Sequence, residues 1–165
     1  MRWMRGLLLF MAGTLAGMLI MQAGAAPQQK VSGLRLNHVG MFVKDLDESI
    51  NFYTKTMGFR ETYLFKDEEG KPAMALLQIS RETFLELMPA DADHPVGFSH
   101  AGIWVDDVKA TIRELRQKGV KVEDSHVGLR MKALATDVID PDGLRLEILE
   151  FTPDSLQKKA IDSWK

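Results

Sequence analysis

Residues 38–46 read HVGMFVKDL, and residues 100–108 read HAGIWVDDV. The two stretches align at an offset of 62 residues, and the alignment keeps the histidine, the glycine, a bulky aromatic residue, a valine and an aspartate. The match continues through Ser49-Ile50 over Thr111-Ile112. Agreement of this density indicates an internal repeat, and a repeat indicates one structural unit used twice.

Each copy of the repeat begins with an alternating, β-rich run, at 36–43 and at 98–105. Alternate residues of a strand share a face, so the histidine and the glycine two positions later are expected to face the same way. An aspartate then starts an amphipathic helix in each copy. We expect these helices to end at Gly58 and Gly119, because glycine tolerates the left-handed conformation found there.

Three further strands are predicted in each copy, which gives the order βαβββ and an α+β fold class. Residues 34–88 form the first predicted module, 89–97 the linker and 98–151 the second module. The tail, 152–165, is expected to form one short amphipathic helix whose role the sequence does not define. The further strands are predicted at 59–65, 73–79 and 83–88 in the first module, and at 121–123, 133–140 and 144–151 in the second.

The composition excludes several classes of function. The chain has 165 residues, of which 45% are apolar and 27% charged, as in ordinary globular proteins. A formal net charge of -2 provides no positive field, so no nucleic-acid partner is expected. Cysteine is absent, which excludes disulfides and thiolate ligands, so any metal must be held by nitrogen and oxygen donors.

The first 26 residues differ from the rest of the chain. Arg2 and Arg5 precede an almost uncharged stretch, and residues 23–25 form a small-residue cleavage site, which together are typical of an export signal. We expect the mature chain to begin near Ala26 and to be periplasmic or secreted. An uncleaved anchor facing outside is the alternative, because about 20 apolar residues can span a bilayer. Any membrane contact would then be made by this segment alone.

The repeat also pairs four candidate metal ligands. Glu86 lies among apolar residues 48 positions after His38, and Glu147 lies in a similar setting 47 positions after His100. A buried carboxylate needs a partner or a metal, and each module thus supplies one histidine and one glutamate. This set suits a divalent ion such as Zn, Ni, Co, Mn or Fe(II).

The alternative is that these residues have only structural roles, as an isolated histidine or glutamate usually does. The coincidence of four residues favours the metal hypothesis. His94 and His126 fall in predicted loops outside the repeat, and no site role is predicted for them. Phe42 and Trp104 are expected to belong to the core rather than to a substrate wall.

These motifs resemble the vicinal oxygen chelate superfamily, which includes glyoxalase I, methylmalonyl-CoA epimerase, extradiol dioxygenases and bleomycin resistance proteins. The resemblance covers about residues 34–151. It implies a glyoxalase-like curved mixed sheet, built from two βαβββ modules around one metal-binding cleft. It rests on the motifs at 36–40 (LNHVG), 45–59, 100–105 (HAGIWV) and 140–147 (DPDGLRLE).

The ligand set His38, Glu86, His100, Glu147 is similar to that of glyoxalase I. The resemblance implies a lyase or isomerase that removes a proton next to a carbonyl of a small oxygenated substrate, with Glu147 or Glu86 as the base. Glyoxalase I typically has an arginine at the position of Phe42 that helps to hold glutathione, and this departure argues against glutathione. A ring-cleaving dioxygenase and a non-catalytic small-molecule binding or resistance protein are the alternatives. The cleft is expected either within one chain or by exchange between two chains of a homodimer.

Overall fold

The computed structural model describes residue 31 and residues 33–165 of the chain. The predicted export segment therefore lies outside the described residues. Within the described part, no helix combines the length and apolar character needed to cross a membrane. The strands are β1 Arg35–Val43, β2 Arg60–Lys66, β3 Pro72–Ser80, β4 Thr83–Pro89, β5 Gly97–Trp104, β6 His126–Val127, β7 Leu134–Ile139 and β8 Arg145–Glu150.

The strands form one curved, mixed sheet in the order β2-β3-β4-β1-β5-β8-β7-β6. Each βαβββ module contributes four neighbouring strands, and the modules meet where β1 pairs antiparallel with β5. The pairs β1–β4 and β5–β8 are parallel. The predicted α+β fold of two repeated modules is confirmed, and the modules join within a single chain.

Helices α1, Leu46–Asn51, and α2, Val108–Gln117, occupy equivalent places in the two modules. Asp45 caps α1 by accepting a hydrogen bond from the Glu48 amide at 2.9 Å, and an aspartate caps α2 in the same way. The predicted first helix continues past α1 as a π-helix, Phe52–Thr56. Gly58 and Gly119 follow the two helical segments in the left-handed region, with φ of 77° and 83°, as predicted.

Both helices cover the same face of the sheet, here called the outer face. Leu85 and Leu87 of β4 pack with Leu46 of α1, and Ile148 of β8 packs with Val108 of α2. Residues between these point to the opposite, inner face, because successive strand residues alternate. The inner face is the concave side of the sheet and forms a groove that contains the candidate site.

The predicted strand at 121–123 is wrong, and the corresponding edge strand is β6, farther along the chain. Side chains replace the backbone partners of this segment. Arg116 donates two hydrogen bonds to the Val122 carbonyl, at 3.1 and 2.8 Å, and Thr136 donates one to the Glu123 carbonyl at 3.0 Å. These carbonyls therefore have partners without a strand ladder.

The tail forms the predicted short helix, α3, Leu156–Asp162. Unlike α1 and α2, this helix lies on the inner face. Its buried residues Ala160 and Ile161 pack against Leu76 and Phe84. Leu76 is the register partner of Glu86, and Phe84 precedes Glu86 by two residues, so both point into the groove.

Candidate metal centre

The four predicted ligands converge at the junction between the two modules. His38 on β1 and His100 on β5 point into the groove from the two central strands. Glu86 lies on β4 beside β1, and Glu147 lies on β8 beside β5. The His38 and His100 side chains are 0% and 3% exposed, and those of Glu86 and Glu147 are 7% and 26% exposed. Glu147 is therefore the member of the group that remains most accessible.

The strand register explains how the two imidazoles approach each other. His38 pairs with Gly102, and His100 pairs with Gly40. The Nε2 atoms of the two histidines lie 3.0 Å apart. A Cβ atom at Gly102 would lie 2.0 Å from Cε1 of His38, and one at Gly40 would lie 2.3 Å from Cε1 of His100. Each imidazole thus occupies space that only a glycine leaves free.

The same register brings each glutamate near the histidine of the other module. Glu147 is the β8 partner of Gly102, and its Oε2 lies 3.3 Å from Nε2 of His38. Glu86 is the β4 partner of Gly40, and its two carboxylate oxygens lie 3.6 Å from Nε2 of His100 and 3.8 Å from Nε2 of His38. Both histidines and both glutamates therefore surround one small volume.

Two polar residues that sequence reasoning missed orient the imidazoles. The amide nitrogen of Asn37 donates to the Glu82 carbonyl at 3.0 Å, so the Asn37 Oδ1 atom faces Nδ1 of His38, also at 3.0 Å. An amide oxygen only accepts, so Nδ1 of His38 carries a proton and donates. Ser99 Oγ lies 3.1 Å from Nδ1 of His100. The signal was present in the sequence, since a polar residue precedes the histidine in both repeats.

The charges of the group shift its protonation equilibria in a consistent direction. Burial lowers the pKa of His38, but the negative charges of Glu86 and Glu147 outweigh it and raise the pKa above its usual 6.5. Burial raises the pKa of Glu147, but the hydrogen bond and charge of His38 outweigh it and lower the pKa below its usual 4.5. The centre therefore favours a positive charge at the position of the imidazoles.

The donors fit a divalent metal ion. His38, Glu86 and His100 each offer a ligand atom, and these atoms lie within 4.8 Å of one another. When Nδ1 of a neutral His38 carries the proton, Nε2 has a lone pair that points toward Nε2 of His100. A second proton or a cation between the two nitrogens would make this close approach favourable. Zn–N bonds of about 2.0–2.1 Å allow two nitrogens to share an ion at this separation. A cation would also offset the buried carboxylate charge.

The other two histidines lie apart from this centre. His94 lies in the linker, where its Nδ1 is 2.9 Å from a carboxylate oxygen of Asp91, and its ring lies tilted against that of Phe42 with the centroids 4.8 Å apart. His126 is exposed on β6, not in the predicted loop. Trp104 packs at 4.7 Å against Phe151 on the inner face. The two aromatic residues thus line opposite ends of the groove.

Comparison with known proteins gives the family. The model of the Glyoxalase/Bleomycin resistance protein/Dioxygenase superfamily matches residues 35–148, which include all four candidate ligands. The chain belongs to this superfamily. A methylmalonyl-CoA epimerase from Mycobacterium tuberculosis shares the superfamily's fold, with a TM-score of 0.62 and 25% identity over 78% of this chain and 97% of the epimerase.

Several relatives within the superfamily are named lactoylglutathione lyases. The Vibrio cholerae protein, a probable lactoylglutathione lyase, is 29% identical over 136 residues, which cover 73% of this chain and 93% of that protein. A probable chloroplastic lactoylglutathione lyase of Arabidopsis thaliana is 32% identical over 127 residues, 72% of this chain. The chain spans only 36% of the Arabidopsis protein and 48% of the lactoylglutathione lyase of Schizosaccharomyces pombe.

Proposed function

We propose that the protein is a metal-dependent lyase or isomerase of the glyoxalase type that acts on a small oxygenated substrate. The observation that carries the proposal is the convergence of the two imidazoles, 3.0 Å apart at Nε2, with two glutamates from equivalent strands. In this proposal His38, Glu86, His100 and Glu147 hold the ion. The names of the lyase relatives and of the epimerase support this class of chemistry.

A bound divalent ion would supply Lewis-acid polarisation of a substrate carbonyl oxygen. The residues of the chain supply the proton transfer. By resemblance to the family, each glutamate can exchange between ligand and base roles. Glu147 is the preferred base, because its side chain is 26% exposed whereas that of Glu86 is 7% exposed. The Glu147 carboxylate could accept a proton from the carbon beside the carbonyl and return it to a neighbouring atom.

The buried residues around the base are held in fixed positions. His38 and His100 are buried, and Asn37 fixes the ring orientation of His38. In the metal-free protein the Glu147 carboxylate lies 3.3 Å from Nε2 of His38 and remains partly exposed. Such positioning accounts for much of the rate enhancement in reactions of this type.

Turnover by metal-loaded protein tests the proposal. The purified chain would be loaded separately with Zn, Ni, Co, Mn and Fe(II), and its metal content measured. Each form is then assayed for turnover of the hemithioacetal of methylglyoxal and glutathione. In a second assay, the incorporation of solvent deuterium into 2-hydroxy and 2-oxo acids is measured. Metal-dependent product formation or exchange at carbon is expected. Bound metal and bound ligand without either reaction would instead support a binding or resistance protein.

A ring-cleaving dioxygenase is the second candidate. His38, Glu86 and His100 alone form a group of two histidines and one carboxylate, which is a donor set typical of non-haem Fe(II) oxygenases. Glu147 would then act as an acid or base instead of a ligand. Oxygen consumption with catechols after iron loading separates this activity from the lyase or isomerase.

We also propose that the protein is exported, on the basis of Arg2, Arg5 and the apolar stretch that follows them. N-terminal sequencing of protein from its native compartment is expected to find Ala26 first. Recovery of the full-length chain from the membrane fraction would identify the segment as an anchor.

A further inference from the structure

Helix α3 joins the two modules across one end of the groove. Its start is fixed to the second module, where the Leu156 amide donates to the Met131 carbonyl at 3.0 Å. Its end is fixed to the first module, where Arg60 of β2 donates to the Ala160 carbonyl at 2.8 Å. The guanidinium of Arg60 also lies 5.4 Å from the ring of Trp164. The tail is therefore a strap held at both sides of the groove.

The strand directions show which end of the groove the strap occupies. Phe84 lies at the start of β4, and Phe151 directly follows β8 beside Trp104, the last residue of β5. These residues form one end, and α3 packs against Phe84 and Phe151. The opposite end is lined by Phe42 under His94, and the described residues place no helix there. Among the described residues, a helix thus covers one end of the groove and none covers the other.

The strap carries a buried polar side chain without a partner. Gln157 is 1% exposed, and within the described part of the chain its Oε1 atom is buried and accepts no hydrogen bond. Gln157 precedes Ala160 and Ile161 by three and four residues, so it lies on the helix face that packs into the groove. An unsatisfied buried acceptor destabilises the protein unless a ligand supplies the missing donor.

We propose that α3 forms the closed end of the substrate pocket and that Gln157 is a specificity residue that accepts a hydrogen bond from the substrate. This inference rests on the proposed function. Phe84, against which α3 packs, is the register partner of His38 and lies two residues, about 6.6 Å, from Glu86 along β4. A substrate of a few carbon atoms can therefore reach from the metal centre to the strap.

The chemistry of the acceptor defines the substrate class. An amide oxygen accepts hydrogen bonds and carries no charge, so the matching substrate group is a hydroxyl or an N–H. The sheet residues on which α3 packs, Phe84 and Leu76, are apolar and offer no competing hydrogen-bond partner. The preferred substrate thus has an oxygen atom for the proposed ion at one end and a neutral hydrogen-bond donor at the other.

A binding experiment tests this without requiring turnover. The probes are two series of straight-chain hydroxamic acids of increasing length, one ending in a methyl group and one in a hydroxyl group. Hydroxamates chelate through two neighbouring oxygens, and their binding to the Co²⁺-loaded protein is followed by visible absorption. At one chain length the hydroxyl-ended probe is expected to bind about 10-fold more tightly than its methyl-ended counterpart, as one buried hydrogen bond allows.

Gln157→Met is the test variant, because methionine keeps the unbranched shape and the helix propensity but lacks the acceptor. The variant is expected to bind Co²⁺ as the parent does, to melt at no lower temperature, and to show less than about twofold preference between the probes. Lys159→Ala, on the exposed side of α3, is the matched control and should keep the 10-fold preference. On any substrate found, Gln157→Met should raise KM more than it lowers kcat.

Two results overturn the inference directly. One is a parent protein that prefers no hydroxyl-ended probe at any length, and the other is a Gln157→Met variant that keeps the preference. Failure of the proposed function looks different: the parent then binds no Co²⁺, or His38→Ala binds it equally well. In that case the proposed role of Gln157 is also wrong, because no ion would hold the probe in the groove.

Discussion

His38 and Gly102 face each other across the junction of the modules, and the imidazole of the histidine lies in the space where a Cβ atom of residue 102 would be. The proposed metal centre therefore requires that residue 102 have no side chain. Because the strands β1 and β5 are central in the sheet, neither can move aside to make room for a larger residue.

Gly102→Ala is expected to displace His38 and to weaken metal binding at least about 10-fold, because its Cβ would lie 2.0 Å from the ring. Gly128→Ala is the control, since its Cβ would meet only ordinary contact, at 3.6 Å. Metal titration of both variants, beside thermal melting, makes the comparison. Undiminished metal affinity in Gly102→Ala would show that the imidazole position is unimportant.

Alanine at any of the four proposed ligands is expected to lower metal affinity by at least about 10 to 100-fold, the typical cost of losing even an indirect partner. The variants are His38→Ala, Glu86→Ala, His100→Ala and Glu147→Ala. His94→Ala and His126→Ala are the matched controls, because both rings lie away from the centre. Elemental analysis measures the retained metal. Equal metal content in all six variants would assign the four residues a structural role.

Replacing Glu86 or Glu147 by glutamine distinguishes a metal ligand from a base, because glutamine keeps an oxygen that can bind metal but cannot take up a proton as a carboxylate does. Glu147→Gln is expected to retain some metal and to lose turnover by at least about 100-fold. Glu86→Gln is its internal control and should retain more activity. The opposite order, measured as kcat at matched metal content, would identify Glu86 as the base.

The metal-free protein is expected to lose stability as the pH rises above about 6.5. The pKa of His38 is raised in the folded state, so the folded protein binds more protons than the unfolded chain in this range. The associated stabilisation is complete below the unfolded pKa and disappears as the pH passes the folded pKa. Urea titrations from pH 5 to 9 measure it. Glu147→Gln should make the free energy of unfolding depend less steeply on pH, because Glu147 helps to raise the pKa of His38. An unchanged dependence would contradict this assignment.

Arg60→Ala is expected to destabilise the protein by about 1–3 kcal/mol, because it removes charged hydrogen bonds to the Ala160 and Ser163 carbonyls at the end of α3. Arg81→Ala, at an exposed turn, is the control. Limited proteolysis should release the tail faster in Arg60→Ala alone. Equal release in both variants would mean that Arg60 does not hold the strap.

Most of the sheet and the four converging residues could be predicted from the sequence because the repeat supplied information twice. Each module confirmed the other, so the position of His38 fixed the interpretation of His100, and the same was true of the glutamates. The π-helical continuation of α1 could not be predicted, because π-helices are rare and a single turn of five residues is too short to show a period of its own.

The remaining features depend on contacts between residues far apart in the sequence. The order of the first module predicts a strand at 121–123, but Arg116 and Thr136 supply the hydrogen bonds of this segment. The seven residues of α3 show their amphipathic pattern, yet only the folded sheet determines that this helix lies on the inner face. Gln157 looks like an ordinary surface residue of such a helix until its burial is known.

The pairing of each histidine with a glycine on the opposite module has an evolutionary consequence. After a gene duplication, the two halves of a protein usually drift apart independently. Here positions 38 and 102, and likewise 40 and 100, can change only in concert, since a side chain gained on one strand requires a smaller one across from it. A relative that has lost the histidine equivalent to His38 or His100 is therefore free to replace the glycine that faces it. We expect the two replacements to occur in the same relatives.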